Sequence, residues 1–353
     1  MSSARTFLFA TQSSKYQKYR QPRKHEIAVV TGATGGIGSQ IAHDLAFRGY
    51  DVVIAARNLD MGKALVKKIE GELKVTPIKS SSSDSEDDDV DLPAITFVEY
   101  HADVPQSAFD MASSITDMKS PLTVLINNAG IMGKSKQLTM RVNLLGPAYL
   151  TFALLPLMAK CTKPTTVINV GSSAHLRATC VVDEESTGEN SSEDDDNKQS
   201  WIENLPDIAD DNLSTYSQSK MALMQFSTLL RNCLQKSDPP IQVIDAHPGL
   251  VWTPLLRNHI GDKAVGTLTK TGLANLIYKS SSEGARAIVS ALDYSPPSTA
   301  SAKEQVYYVN GKPRGYAACE SISIDASNQL WKCVLKPEVD GFVELPKGWG
   351  LAK

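Results

Sequence analysis

The chain has 353 residues, of which 42% are hydrophobic and 21% are charged. These values are typical of a globular protein and exclude a disordered or fibrous chain, and the length fits one domain of about 250 residues plus added segments. The formal net charge of −3 conceals two acidic runs, six acids within residues 84–91 and eight within 183–196, without which the rest of the chain carries +11.

Short β-branched apolar runs alternate with longer stretches of helical spacing along most of the chain. The predicted strands are Ile27–Thr31, Val52–Ala56, Ile95–Tyr100, Thr123–Asn127, Val167–Val170, Ile241–Asp245 and Val306–Val309. The predicted helices lie near 37–48, 60–73, 105–118, 137–160, 214–236 and 283–293. Apolar strands that alternate with helices are typical of a parallel sheet covered on both faces. The pattern therefore predicts an α/β fold, a single doubly wound domain with a seven-stranded parallel sheet.

Two acidic segments interrupt this alternation. Residues 79–91 and 181–200 are rich in Ser, Asp and Glu, so they cannot bury enough apolar surface to offset the entropy of ordering. We interpret both as flexible insertions in a domain over 26–315; a phosphorylation-controlled arm is the alternative. Residues 1–25 are interpreted as a flexible basic leader. Residues 316–353 form a C-terminal extension whose apolar side chains are expected to pack on the domain or its substrate side, with partner binding as the alternative.

The composition also bears on compartment and metal content. Five cysteines without any C-x-x-C pair fit free thiols in a reducing compartment, and the histidines form no H-x-x-x-H pair, so no metal site is expected. Phe7–Ala10 is too short for a secretory signal. We expect a cytoplasmic protein, with organellar import through the leader as the alternative. The uncharged run Val142–Ala159 contains Asn143 and two prolines, which favours a buried core helix over a transmembrane segment.

A glycine-rich loop follows the first predicted strand and precedes a helix. It reads Thr31-Gly32-Ala33-Thr34-Gly35-Gly36-Ile37-Gly38. Glycines allow backbone N–H groups to approach a pyrophosphate, which the N-terminal end of the following helix also attracts. The placement between strand and helix predicts a Rossmann-type dinucleotide site, with Gly32, Thr34, Gly36, Ile37 and Gly38 against the cofactor.

The end of the second predicted strand bears on the choice of cofactor. A site for NAD commonly places an acid there for the ribose 2′-OH, but this strand ends Ala55-Ala56-Arg57-Asn58. No carboxylate would repel a 2′-phosphate, and Arg57 can form a charge-assisted fork to one. The sequence therefore favours NADPH over NADH, unless Arg57 is only a surface residue.

Tyr216 and Lys220 lie four residues apart, so a helix would present them on the same face. Such a pair is common by chance and gains weight only from the motifs around it. An ammonium beside a phenol stabilises the phenolate and is expected to lower the pKa of Tyr216. Tyr216 is therefore a candidate proton donor to a forming alkoxide.

Seven motifs in one order resemble the short-chain dehydrogenases/reductases over about residues 26–310. They are the loop at 31–38, Asp103-Val104, Asn127-Asn128-Ala129-Gly130, Asn143, Ser172, Tyr216-x-x-x-Lys220 and Pro248-Gly249-Leu250-Val251-Trp252-Thr253. Within the family, the chain looks like the retinol-dehydrogenase and WW-domain-oxidoreductase-like branch, and protochlorophyllide reductases are similar in outline.

The resemblance implies a role for each matching residue. Tyr216 would exchange the substrate proton, Lys220 would bind the nicotinamide ribose, Ser172 would bond the substrate oxygen, and Asn143 would hold a relay water. The implied cofactor contacts are Asp103, Val104, Asn128, Ala129, Gly130, Pro248, Gly249, Val251 and Thr253, in addition to the glycine loop and Arg57. The resemblance also allows a homo-oligomer.

The expected function is an NADP(H)-dependent oxidoreductase that transfers a hydride between nicotinamide and a carbonyl or alcohol group of a bulky or lipophilic substrate. The alternative is a dinucleotide-binding sensor or scaffold with little catalysis, although such a module has no need for all four catalytic residues. Nucleic-acid binding is not expected, because the basic residues are scattered and carry no binding motif. Ser172 and Tyr216 are 44 residues apart because the second acidic insertion lies between them, a lengthening that costs little entropy. The insertion would leave the sheet on the side where substrate binds, and its negative charge would disfavour anionic substrates.

Overall fold

The structure is a computed structural model that describes residues 21–77, 91–178, 212–234, 240–253, 255, 278–294, 307–314 and 323–339. The expectations for residues 1–20, for the acidic insertions apart from Asp91, and for Phe342, Leu345 and Trp349 of the extension lie outside the described residues.

One sheet of eight strands runs through the described part of the chain in the order β3-β2-β1-β4-β5-β6-β7-β8. Strands β1 to β7 are parallel, as expected, while β8 pairs antiparallel with β7 at the edge. The eighth strand corrects the predicted count: the turn at Asn310-Gly311, both with positive φ, folds the chain back as a short hairpin. The strands are Ile27–Thr31, Asp51–Ala56, Ile95–Glu99, Leu122–Asn127, Thr165–Val170, Ile241–His247, Tyr307–Val309 and Lys312–Arg314.

Helices cover both faces of the sheet, which confirms the doubly wound α/β fold. One face carries α1, α2 and α6, and the other carries α3, α4, α5 and α7. Their bounds are α1 Gly36–Phe47, α2 Leu59–Val75, α3 Pro105–Thr116, α4 Lys136–Met158, α5 Asn212–Cys233, α6 Ser281–Val289 and α7 324–339. Short 3₁₀ turns occupy Ser173–Arg177 and Ser290–Asp293. Every residue of β1, β2 and β4 is buried, as their apolar sequences predict.

Helix α4 contains one widened turn. Its segment Arg141–Leu145 is π-helical between two α-helical parts, Lys136–Met140 and Gly146–Met158. The helix is long and apolar enough to cross a membrane by length and composition, but 83% of its most apolar window is buried in the fold. The second part begins at Gly146, where only glycine fits because a Cβ would lie 2.4 Å from the Ala102 carbonyl oxygen.

The C-terminal extension contributes a helix that sequence periodicity did not reveal. Helix α7 lies against α4 and α5, where the Trp331 ring is 2% exposed and meets Phe152 edge-on at 6.0 Å between centroids. The Tyr149 hydroxyl donates to Glu338 Oε2 at 3.0 Å. Trp331 and Val334 therefore belong to the main core.

Candidate active site

The carboxyl ends of the parallel strands open into a cavity of 840 Å³, a size typical of ligand sites. The loops after β1, β2, β4, β5 and β6 line it. In a doubly wound sheet, ligands bind at this edge, where the strand order reverses between β1 and β4.

The glycine loop forms one end of the cavity. Gly32 has φ +63°, and a Cβ at Gly32 would lie 2.8 Å from Ala129 Cα. A Cβ at Gly38 would lie 2.3 Å from the Gly32 carbonyl oxygen. Helix α1 then begins at Gly36 with no side-chain cap and no acid in its first turn, so its free N–H groups and its dipole favour an anion there.

The loop after β4 is bonded to the glycine loop. Thr31 Oγ1 accepts from the backbone N–H groups of Asn128 at 3.0 Å and Ala129 at 2.9 Å. The Asn128 side-chain amide donates to the Thr31 carbonyl oxygen at 2.9 Å. Asn128 thus acts in this structure by fixing the shape of the glycine loop, a role the sequence alone did not indicate.

The residues at this end fit a dinucleotide. Glycine leaves the loop open where a Cβ would close it, and Asp103 Oδ1 is buried without a hydrogen-bond partner among the described residues. A buried, unpaired carboxylate oxygen that lines the cavity suits an amino group such as that of adenine. Arg57 is exposed after β2 and also lines the cavity. Val104, by contrast, is 44% exposed and does not line it.

Ser172, Tyr216 and Lys220 meet at the other end. Ser172 follows β5 and caps the next 3₁₀ turn, while Tyr216 and Lys220 lie one turn apart on α5. The Ser172 side chain lies close enough to the Tyr216 hydroxyl to lower the pKa of Tyr216, whereas neighbouring Ser173 is exposed. Lys220 Nζ donates to the Val170 carbonyl oxygen at 2.8 Å and lies 5.8 Å from the centre of the Tyr216 ring. The structure thus brings the three residues together across a gap of 44 residues.

Burial controls the protonation of this pair. It raises the pKa of Tyr216 above its ordinary value of 10, an effect that the Ser172 side chain opposes. It lowers the pKa of Lys220 to about 8, opposed by the charge of Asp245. The expected lowering of the pKa of Tyr216 is therefore wrong for the protein alone, because loss of hydration outweighs the opposing contribution of Ser172.

Asn143 lies in the π-helical turn of α4, behind the cavity rather than on its wall. Its Oδ1 accepts from the Ile131 N–H at 2.8 Å, and its Nδ2 donates to the Ile131 carbonyl oxygen and to Ser219 Oγ, both at 2.9 Å. Both Nδ2 protons and one lone pair of Oδ1 are thus engaged within the protein. The second lone pair of Oδ1 and the backbone are the Asn143 groups that could hold a relay water.

The loop after β6 closes the cavity from a third side. Pro248, Gly249, Val251 and Thr253 all line it. The backbone of Lys279 bonds to both neighbours of Val251, donating to the Leu250 carbonyl oxygen at 2.7 Å and accepting from the Trp252 N–H at 2.9 Å. These bonds hold the loop against the start of α6.

Two histidines near the catalytic residues were not found from sequence. His247 ends β6 and lines the cavity, and its pKa falls to about 4 through burial and the charges of His175, Lys279 and Lys220. His175 bonds the Ser172 carbonyl oxygen through Nδ1 at 2.5 Å and packs edge-on against Tyr307. The position of His247 directly before Pro248-Gly249 was the available signal.

Comparisons with known proteins agree with this geometry. The family model of the short chain dehydrogenases matches residues 26–182. Over 285 residues the chain is 29% identical to polyprenol dehydrogenase of mouse (Mus musculus), covering 76% of this chain and 71% of that protein. Over 237 residues it is 29% identical to human (Homo sapiens) retinol dehydrogenase 13, covering 65% of this chain and 60% of that protein.

A solved structure from Mycobacterium paratuberculosis, of an uncharacterized protein, has the same fold. It matches with a TM-score of 0.60 and 20% identity, covering 94% of this chain and 98% of that one. Residues 26–182, which the family model matches, belong to the short-chain dehydrogenase/reductase family. Within that family the chain is similar to the retinol dehydrogenases, and it matches 60% of the length of human retinol dehydrogenase 13.

Proposed function

We propose that the protein is an NADP(H)-dependent oxidoreductase that transfers a hydride between nicotinamide and a carbonyl or alcohol group of a bulky or lipophilic substrate. The meeting of Tyr216, Ser172 and Lys220 in the cavity that also contains the glycine loop carries the proposal. A module that only bound a dinucleotide would have no chemical need for a buried phenol and ammonium at its far end.

The chain's own residues supply the proton chemistry, and a bound reduced nicotinamide would supply the hydride. Tyr216 keeps its proton at neutral pH because its pKa is raised, so it can donate to a substrate oxygen that develops negative charge. Ser172, which lies beside the phenol, orients that oxygen. The Lys220 ammonium, charged below about pH 8, would bond ribose hydroxyls.

A preference for NADPH follows from the end of β2. Ala55 and Ala56 place no carboxylate there, and the Arg57 guanidinium is exposed beside the cavity. We expect Arg57→Asp to weaken NADPH relative to NADH by about tenfold or more, since a charge-assisted bond to phosphate is lost. An unchanged ratio of kcat/KM for the two cofactors would remove Arg57 from the site.

The apolar character of the proposed substrate is supported by the cavity mouth. Leu250, which lines the cavity, is 56% exposed, and Leu176 in the 3₁₀ turn after Ser172 is 62% exposed. Exposed leucines beside a cavity favour an apolar ligand. The two curated relatives are named for the alcohols polyprenol and retinol, both largely hydrocarbon.

The experiment is NADPH oxidation with a panel of aldehydes, ketones and quinones of increasing hydrocarbon size. Tyr216→Phe should lower kcat by about 10²- to 10⁴-fold, the usual contribution of a general acid. Tyr308→Phe is the matched control, because Tyr308 is also a buried tyrosine but lies outside the cavity lining. If the protein binds NADPH yet reduces no compound, or if Tyr216→Phe is fully active, the sensor or scaffold hypothesis replaces this one.

A further inference from the structure

A row of buried polar side chains crosses the centre of the sheet. Asn127, Asn169 and Asp245 are in register on β4, β5 and β6, and each is at most 1% exposed. Asn127 Nδ2 donates to Asn169 Oδ1 at 2.8 Å, and Asn169 Nδ2 donates to Ser227 Oγ at 2.8 Å. Ser227 Oγ in turn donates to Asp245 Oδ1 at 2.6 Å. The row therefore ends on a carboxylate with no exposure to solvent.

Helix α5 presents a matching polar face to the sheet. Tyr216, Lys220, Ser227 and Arg231 fall within an arc of roughly 60° at 3.6 residues per turn. The first two reach the cavity, and the last two reach Asp245: Arg231 Nη2 pairs with Asp245 Oδ2, while its Nε donates to the Val243 carbonyl oxygen at 3.0 Å. One helix face thus holds the catalytic pair and the partners of a buried acid.

Lys220 itself is 4% exposed and makes no ion pair within 4 Å among the described residues. A buried ammonium without a carboxylate partner is unfavourable. The negative charge of Asp245 on β6 raises the pKa of Lys220. The other titratable groups nearby are Tyr216 of its own helix and His247 at the end of β6. Asp245 is the acidic group of this set.

We propose that Asp245 is a positioning residue of the oxidoreductase site: held by Ser227 and Arg231, its carboxylate supplies a buried negative charge that favours the charged form of Lys220. The proposal rests on the proposed function, because it assigns Asp245 a role toward the residue that would bind the nicotinamide ribose. Asp245 acts through Lys220 and does not line the cavity.

The test measures the titration of Lys220 in the full-length protein without cofactor. Lys220 is acetylated competitively with acetic anhydride at a series of pH values, and its modification is followed by mass spectrometry. The wild-type midpoint should lie near the pKa of about 8. Asp245→Asn should lower it by roughly one unit, the low end for loss of an opposite charge, because Asp245 and Lys220 form no ion pair within 4 Å. The Kd of NADPH should then rise about fivefold at pH 8 and change little near pH 6, since the charged fraction of Lys220 falls only at the higher pH.

Two further variants separate charge from folding. Asp51→Asn is the matched control: Asp51 is also a buried aspartate, paired with Arg23 at 2.8 Å, but it lies at the opposite end of the sheet. It should leave the Lys220 midpoint in place. If Asp245→Asn does not fold, the double variant R231M/D245N removes both charges together, a replacement that buried pairs often tolerate. It should lower the midpoint in the same direction but by less, because loss of the Arg231 charge partly offsets loss of the Asp245 charge.

An unchanged or raised midpoint in the Asp245 variants would overturn the proposal, and so would an equal fall in Asp51→Asn. Failure of the proposed function is distinguishable, because the wild type would then show no NADPH oxidation or binding. The acetylation midpoints would still measure the effect of Asp245 on the titration of Lys220.

Discussion

Replacing Gly38 by alanine should damage the cofactor end of the cavity without altering the catalytic end. The new Cβ would lie 2.3 Å from the Gly32 carbonyl oxygen and 2.6 Å from Asn128 Nδ2. Real Cβ atoms essentially never approach closer than 3.0 Å, so these atoms must move apart. Gly32 belongs to the glycine loop and Asn128 holds that loop, so the displacement falls on the surface that would cradle the pyrophosphate.

The steric effect is the larger of two opposing effects. Overpacking of this kind costs about 1–3 kcal/mol, whereas alanine improves helix propensity over glycine by about 1 kcal/mol. We therefore expect folding to be only modestly affected. The Kd of NADPH should rise by about tenfold or more, which corresponds to ~1.4 kcal/mol or more of lost binding free energy.

The assay is titration of NADPH fluorescence, with thermal unfolding measured in parallel. Gly71→Ala is the control, because a Cβ at Gly71 meets no atom within 4 Å and Gly71 lies in α2, outside the cavity lining. Equal affinity of Gly38→Ala and wild type, or an equal loss in Gly71→Ala, would refute a steric cradle at Gly38.

Three other changes probe the rest of the site and core. Lys220→Met should be more stable than wild type by up to about 3 kcal/mol at pH 7: the folded-state pKa of about 8 lies below the unfolded value of 10.5, so the penalty is full below pH 8 and vanishes by about pH 10.5. Chemical denaturation of both proteins at pH 7 and pH 10 checks this, and a pH-independent difference would contradict it. Asp103→Ala should weaken NADPH by about tenfold but leave reduced nicotinamide mononucleotide unaffected, since only the former has an adenine for the orphaned carboxylate. Equal losses for both ligands in binding titrations would place Asp103 elsewhere. Trp331→Ala should lower the free energy of unfolding by about 3–5 kcal/mol in urea titrations, while Lys332→Ala at the exposed neighbouring position should change it little.

The sheet could be predicted from sequence because its strands are buried on both faces. Runs such as Ile27–Thr31 and Thr123–Asn127 are nearly all apolar, and the structure extends them by at most a few residues. The hairpin strand Lys312–Arg314 escaped prediction because three residues carry no alternation. The π-helical turn Arg141–Leu145 escaped because it has the same apolar pattern as the α-helix around it.

The site could be predicted where a motif fixes the backbone, and less well where a side chain finds its partner in three dimensions. The glycine loop, Arg57 and the Tyr216–Lys220 spacing are visible in sequence, and all lie on one cavity. The raised pKa of Tyr216 depends on burial by the surrounding helices, which no local pattern records. Likewise, Asn128 and Asn143 were expected at the ligands, but their side chains bond the backbone of loops that line the cavity.

Different chemical groups line the two ends of the cavity, so mutations at the two ends should have different effects on binding and catalysis. The phosphate end consists of backbone N–H groups and absent Cβ atoms around Gly32 and Gly38, so changes there alter shape and should act on the affinity for cofactor. The reacting end consists of ionisable side chains on a helix face that packs against the sheet. Tyr216 and Lys220 are therefore polar at buried positions where a helix face is ordinarily apolar. The polar row from Asn127 to Asp245 satisfies that face further along the same helix. Changes in the row should therefore act on the protonation of Lys220 and, through it, on cofactor affinity only at higher pH. A variant of the row that altered cofactor affinity equally at every pH would contradict this division.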